Sequence, residues 1–367
     1  MGLGDPAPAP GAPGITWPEI LASLSRRESL TAAQAEATLG VVLAGDATPS
    51  QIGAFLTLLH AKGETAEEVT GLARAMVDAA VPCPLGLPDD TVVLDLVGTG
   101  GDRLASINVT TLASFITAGA GVPVCKHGNR AASSAVGTAD VLEALGVAIE
   151  LGPEGVAECV RVAGMGFCFA QRFHPAMRFV GPVRKELGVP TVFNYLGPLT
   201  NPARTRYQLV GVSDPAMAPI MAGVFGATGS RRTFIIHADD GLDELSVTSP
   251  GDVLEVRGDS AGNFELAEWR VDPRTLGLAP ATMADLKGGD AAFNAKVIRS
   301  VLEGETGARR DIGVLNAAAA LMVAGRVDDL VSGLALASES IESGRALAVL
   351  DALVATSQAA ALLRPPG

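Results

Sequence analysis

The sequence predicts an α/β protein, with a small N-terminal helical bundle domain followed by a larger domain whose mostly parallel sheet is flanked by helices. Three observations predict it. Between Thr16 and Ala80 a helix-start pattern, Ser or Thr followed three residues later by Glu or Gln, recurs four times. Residues 81–90, rich in Pro and Gly, then read as a linker. From Val92 onward, β-branched and aliphatic runs of strand length alternate with helix-length segments, the signature of a parallel sheet with its ligands at the carboxyl ends of the strands. At 367 residues the chain also exceeds the roughly 100 to 200 of a single domain.

Residues 1–14 are rich in Pro, Ala and Gly, have nothing to bury, and are expected to form a disordered tail. The capping boxes pair Thr16 with Glu19, Thr31 with Gln34, Thr48 with Gln51 and Thr65 with Glu68, and Pro49 suits a first helical position. Ile20, Leu21 and Leu24, then Ile52, Phe55, Leu56 and Leu59, recur at helical spacing, so four short helices should pack as a bundle. His60, at the end of the third helix, is expected to be structural. Beyond the linker the expected order is a strand at 92–97, a helix at 108–118, a strand at 122–125 and a helix near 139–145. A strand at 167–170, a helix near 176–187 and strands at 207–212 and 233–236 follow, the last two separated by an Ala/Met-rich helix after Pro215.

Composition narrows the function classes. The net charge of −13 argues against nucleic acid or an anionic membrane surface as a partner, since attraction to a phosphate backbone needs clustered Lys and Arg. Cys83, Cys125, Cys159 and Cys168 have no CxxC spacing and apolar neighbours, which predicts buried free thiols in a reducing compartment. No apolar run is expected to reach membrane-span length, and a cytoplasmic location is expected.

Three stretches carry chemistry. In the first, the strand 92–97 breaks into Gly98-Thr99-Gly100-Gly101-Asp102 ahead of a helix. Glycines there admit positive φ and close approach of the backbone, and free N–H groups can meet an anion; a tight turn without ligand fits the same residues. The second, Lys126-His127-Gly128-Asn129-Arg130-Ala131-Ala132-Ser133-Ser134, follows the next strand and brings cations, an amide and hydroxyls beside the first, making a joint anion site. The third, Asp239-Asp240-Gly241-Leu242-Asp243-Glu244-Leu245-Ser246, is either an acidic surface turn or a Mg2+ site, because Mg2+ takes hard oxygens from one or two carboxylates together with substrate phosphates.

These stretches, together with residues 193–203 (Phe-Asn-Tyr-Leu-Gly-Pro-Leu-Thr-Asn-Pro-Ala), resemble in kind and order the signature segments of the anthranilate phosphoribosyltransferases, and the similarity extends from the capped helices to Leu315-Asn316-Ala317-Ala318-Ala319-Ala320-Leu321. The resemblance spans nearly the whole chain after residue 14. It implies a helical domain at 15–84, joined in space by part of 171–196 and hinged to a phosphoribosyl-pyrophosphate-binding α/β domain at 85–367, in a homodimer formed through the helical domains. It also implies transfer of phosphoribose from phosphoribosyl pyrophosphate to the amine of anthranilate, with Mg2+ as cofactor. By resemblance, Gly98, Gly101, Asp102, Asn108, Thr110, Lys126, Arg130, Ala131, Ala132 and Ser133 hold the donor. Thr110, Asp243 and Glu244 serve the metal, and His127, Asn129, His174 and Arg184 lie along the acceptor path, Arg184 suiting its carboxylate. No residue is assigned as a catalytic acid, base or nucleophile.

Two positions depart from the family pattern. Thr110 stands where serine is common, keeping the hydroxyl but adding a methyl group and restricting χ1, and Ala135 stands where many members have lysine. A pyrimidine-nucleoside phosphorylase would share the architecture and a similar glycine–lysine motif, but would need neither Asp243-Glu244 nor residues 194–203. A nucleic-acid-binding module would need a basic surface, which the charge disfavours.

Overall fold

The computed structural model describes residues 16–102, 104–131 and 136–363. The expected tail at 1–14, and Ala132, Ser133, Ser134 and Ala135, lie outside the described residues. The chain divides into two compact units, Met1–Ala80 with His174–Leu196, and Val81–Phe173 with Gly197–Gly367.

In the first unit the four expected helices form, at Trp17–Ser25, Ala32–Ala44, Pro49–Lys62 and Ala66–Asp78, each started by its threonine capping box. At Thr48 the reciprocity is explicit: Gln51 N–H donates to Thr48 Oγ1 at 3.3 Å and Thr48 N–H to Gln51 Oε1 at 2.8 Å. Ile20, Leu24, Ile52, Phe55, Leu56 and Leu59 are buried as their spacing predicts. A Cβ at Gly71 would lie 2.0 Å from the Ala32 carbonyl oxygen, so Gly71 lets two helices touch backbone to backbone.

Glu68 does more than cap. Fully buried, its carboxylate accepts from Leu30 N–H at 2.9 Å, Thr65 N–H at 2.9 Å and Lys62 Nζ at 2.8 Å, tying three segments together. Glu68→Ala strands the buried Lys62 ammonium and two amide donors, so it should cost about 3–5 kcal/mol. A loss of less than about 1 kcal/mol in denaturant unfolding would contradict this account.

The helix expected near 176–187 is broken. A short helix Ala170–Phe173 ends before the 3-10 turn Pro175–Phe179, and a separate helix runs Gly181–Leu187. Pro175 and Pro182 explain the breaks: proline is tolerated in a first turn but not in a helix interior. His174–Leu196 groups with the N-terminal helices; Phe179 packs on Gly45, and Val183 approaches Gly53.

The second unit is built on a seven-stranded sheet with order β3-β2-β1-β4-β5-β6-β7. Its strands are β1 Leu94–Gly98, β2 Val124–Gly128, β3 Met165–Phe169, β4 Tyr207–Gly211, β5 Arg232–Ala238, β6 Gly251–Gly258 and β7 Phe264–Val271. The first five pair in parallel and the last two are antiparallel. No strand is expected from the sequence after 236, and β7 explains part of the difference, since most of its residues are exposed and it buries little of the apolar face that patterning detects. The chain leaves β1 on one side for β2 and β3, then returns on the other for β4. That reversal opens a crevice at the carboxyl ends of β1 and β4.

One register differs usefully from expectation. The strand expected at 122–125 runs to Gly128, because Lys126, His127 and Gly128 stay in the ladder opposite Phe167, Cys168 and Phe169. Lys126 and His127 are therefore buried strand residues facing opposite sides of the sheet, whereas a loop would have let them turn together. All four cysteines are buried and free.

The expectation that no segment reaches membrane-span length is corrected by helix Arg345–Leu362, 18 residues at hydropathy 1.3. Ala346, Leu350, Leu353 and Ser357 bury one stripe of it. Ala148 N–H donates to Ser357 Oγ at 3.0 Å, and Gln358 Nε2 donates to Gly146 O at 2.8 Å, so this helix packs within the α/β unit along that stripe.

Candidate active site

The crevice between β1 and β4 is shaped by glycines. Gly98 and Gly211 end their strands in register with each other. A Cβ at Gly98 would fall 2.3 Å from Asp243 Oδ2, and one at Gly211 would fall 1.4 Å from the Asp243 carbonyl oxygen. The pair is thus a seat for Asp243. Gly100 and Gly101 follow with φ of +66° and +89°, and Gly100 N–H donates to Asp243 Oδ2 at 2.8 Å, so this amide of the turn serves a carboxylate of the protein itself. Ser213 latches the turn to the end of β4: its N–H donates to Thr99 Oγ1 at 3.1 Å and its hydroxyl to Gly100 O at 2.8 Å.

Asp102, Asp243 and Glu244 converge here, each offering an oxygen within 4.8 Å of the others. Burial, then repulsion from Asp102, raises the Asp243 pKa; burial, then Asp243 and Asp102, push Glu244 well above the usual carboxylate range. Glu244 Oε2 is buried with no hydrogen-bond partner among the described residues. Buried acids gathered at this cost, with an unsatisfied hard oxygen among them, fit a divalent cation such as Mg2+. Of the four acids in the third stretch, only Asp243 and Glu244 take part. Asp239 pairs with Arg270 at the surface, and Asp240 staples its own loop by accepting from Ser246 Oγ at 2.6 Å and from Thr248 Oγ1.

Lys126 reaches this cluster from β2. Its Nζ donates to the Leu96 carbonyl and, at 3.1 Å, to Thr110 Oγ1, so the threonine hydroxyl is engaged by the lysine. Burial lowers the Lys126 pKa to about 8 against the pull of Asp95, Glu244 and Asp243. Asn108 precedes helix Val109–Gly119; its Nδ2 donates to Val136 O at 3.3 Å, and its Oδ1 accepts from Asn294 Nδ2 at 2.9 Å.

His127 is held through its backbone by Asp95 Oδ1 at 3.1 Å, and its ring Nδ1 lies 3.1 Å from Gly197 O. Asn201 Nδ2 spans Asp95 Oδ2 and Cys125 O, both at 2.8 Å. Sequence reasoning passed over Asp95, whose pKa burial raises to about 6. The available signal was a single acid inside the aliphatic run Val93-Leu94-Asp95-Leu96-Val97.

Asn129 is exposed, its Oδ1 accepting from Arg130 N–H at 2.8 Å. Arg130, expected at an anion, is committed to Asp140 at 2.9 Å and to Glu143, and lies over the Phe169 ring. Asp140 Oδ2 also accepts from Ala131 N–H at 3.2 Å and Gly137 N–H at 2.9 Å. Ala132 and Ser133, assigned to the donor, lie outside the described residues.

His174 and Arg184 belong to the helical unit. His174 is buried ahead of Pro175. Arg184 lies over the Phe193 ring, 5.3 Å from its centroid, with Nη2 3.4 Å from Asn194 Oδ1; burial lowers its pKa.

Comparison with known proteins agrees with this architecture. The model of the glycosyl transferase family a/b domain matches residues 90–347, and that of the family's helical bundle domain matches 18–80. The anthranilate phosphoribosyltransferase of Salinispora arenicola is 50% identical over 351 residues, covering 94% of this chain and 97% of that protein. The anthranilate phosphoribosyltransferase structure from Thermus thermophilus superposes with a TM-score of 0.84 at 40% identity, covering 92% of this chain and 99% of that one. The Saccharomyces cerevisiae enzyme in complex with PRPP and Mg superposes with a TM-score of 0.84 at 26% identity, covering 94% and 98%. With half its residues identical to a relative covered almost end to end, and its buried carboxylates gathered at a glycine-lined strand crossover, the chain belongs to the anthranilate phosphoribosyltransferase family of glycosyltransferase enzymes.

Proposed function

We propose that this protein transfers the phosphoribosyl group of phosphoribosyl pyrophosphate to the amine of anthranilate, giving N-(5-phosphoribosyl)anthranilate and pyrophosphate in tryptophan biosynthesis. The observation that carries the chemistry is the Asp102–Asp243–Glu244 cluster, its last two members buried, beside Lys126 at the carboxyl ends of β1 and β4. In this reading Asp243, Glu244 and Thr110 serve Mg2+, and Gly98, Gly101, Asp102, Asn108, Lys126 and Arg130 to Ser133 hold the donor. The yeast relative's complex with PRPP and Mg supports it. We further propose a cytoplasmic homodimer assembled through a helical domain at 15–84, with the donor site in 85–367.

Breaking the bond from ribose C1 to the pyrophosphate oxygen builds positive charge on the sugar and negative charge on the leaving group. The catalytic gain therefore comes from stabilising pyrophosphate and aligning the amine. Mg2+, when bound, supplies charge opposite the leaving group. Lys126 adds a fixed ammonium, and the Thr99–Ser213 latch ties the glycine turn to the end of β4. An aryl amine is already nucleophilic, so an activated serine or cysteine is unnecessary.

His127, Asn129, His174 and Arg184 are assigned to the acceptor, with Arg184 recognising its carboxylate. Arg184→Ala should raise the anthranilate KM by about 10-fold or more, as expected for a lost charge-assisted hydrogen bond, with little change for phosphoribosyl pyrophosphate. Equal effects on both substrates would refute the assignment. The deciding assay follows loss of anthranilate fluorescence with phosphoribosyl pyrophosphate, with and without Mg2+. Phosphorolysis of uridine or thymidine in its place would instead identify a nucleoside phosphorylase.

A further inference from the structure

Asn316 sits within helix Ala308–Val323 at 0% exposure, where a polar side chain is costly unless its hydrogen bonds are made. Two of its three bonds go to a single residue. Oδ1 accepts from Leu245 N–H at 3.0 Å, and Nδ2 donates to Leu245 O at 2.8 Å. The remaining Nδ2 hydrogen goes to Ile312 O at 2.9 Å in its own helix. The side-chain amide thus pairs with the Leu245 main chain as a neighbouring strand residue would, directly after Asp243 and Glu244.

The position explains the choice of residue. Three mutually repelling carboxylates would relax by swinging apart, and a single hydrogen bond would let the peptide after Glu244 rotate. Two antiparallel bonds from one rigid amide fix both its place and its orientation. Their platform is itself anchored, since Gly313, one turn earlier, meets Leu112 of helix Val109–Gly119, where a Cβ would fall 2.5 Å from the Leu112 side chain. That helix also carries Thr110. The metal carboxylates and the Thr110 hydroxyl are therefore referred to one pair of packed helices.

We infer that Asn316 is a positioning residue that holds Asp243 and Glu244 in cation-binding geometry before the cation arrives. This rests on the Mg2+ reading above and goes beyond it by naming the group that pre-organises the site. Outer partners of metal ligands typically carry about 10- to 100-fold in metal affinity.

The test uses the full chain and its Asn316→Ala and Asn316→Asp variants. The aspartate keeps the acceptor for Leu245 N–H and removes both N–H donations. Mg2+ dependence is read at saturating substrates, and Mn2+ binding with phosphoribosyl pyrophosphate is read by electron paramagnetic resonance. Both variants should need about 10- to 100-fold more metal, with kcat at saturating metal within about threefold of wild type. Leu321→Ala, a buried change in the same helix, should lower the melting point without moving the metal requirement. Unchanged metal affinity in a folded Asn316 variant overturns the inference, whereas a wild type with no Mg2+ or Mn2+ response overturns the metal reading itself. If neither variant folds, amide exchange of metal-free wild type decides. Protection of the Leu245 amide supports pre-organisation, and exchange at the unprotected rate overturns it.

Discussion

Glu244→Gln should make the metal-free protein more stable while removing most of its response to Mg2+. The two signs have one cause. Glu244 is buried beside Asp243 and Asp102, its ionisation is disfavoured by burial and by both neighbours, and Oε2 has no hydrogen-bond partner among the described residues. A neutral amide of the same shape relieves that repulsion, so the variant should be the more stable of the two without metal. The pH dependence follows in sign. A folded-state pKa above the unfolded value of about 4.3 means that metal-free wild type loses stability as pH rises from there through its folded value. Glutamine has no proton to lose, so the variant's advantage should widen with pH when both are melted in a chelator. With Mg2+ and phosphoribosyl pyrophosphate the order should invert, and half-maximal activity should need at least about tenfold more Mg2+. An unchanged metal titration would remove Glu244 from the site.

Gly211→Ala should damage fold and activity together. The new Cβ would lie 1.4 Å from the Asp243 carbonyl oxygen, a backbone atom that cannot yield by changing rotamer. Overpacking usually costs about 1–3 kcal/mol, and a main-chain obstacle places this substitution at or beyond the upper end. A melting point lower by about 6 °C or more is expected, with activity below detection because Asp243 is displaced. Gly98→Ala is the informative contrast. Its Cβ would meet the Asp243 carboxylate tip at 2.3 Å, which can rotate, so stability should largely survive while the metal response is lost. A wild-type melting point for Gly211→Ala would show that the β4 end and residues 243–245 are looser than described.

Local signals made the helical bundle legible. Each threonine capping box satisfies backbone donors within four residues of chain, so the pattern that predicts a helix is also the interaction that starts it. The helix expected at 176–187 failed for an equally local reason, its prolines, yet its departure to the helical unit is a matter of long-range packing that no local pattern encodes. Arg130 shows the same limit from another side. Its charge was legible, but its pairing with Asp140 and Glu143, ten and thirteen residues away, was not.

By itself, the sequence determined the four N-terminal helices, the five parallel strands that give the mostly parallel α/β character, and the four stretches that mark the family. All depend on near-neighbour periodicity, capping and turn chemistry. Tertiary structure alone decided that Gly98 and Gly211 are a matched seat for Asp243, that Asp102 joins the acids of a loop 141 residues later, and that Asn316 steadies them from a distant helix. Such contacts are set by strand order and by backbones brought within van der Waals reach. A glycine's lack of a side chain gains its meaning only from the atom that fills the space.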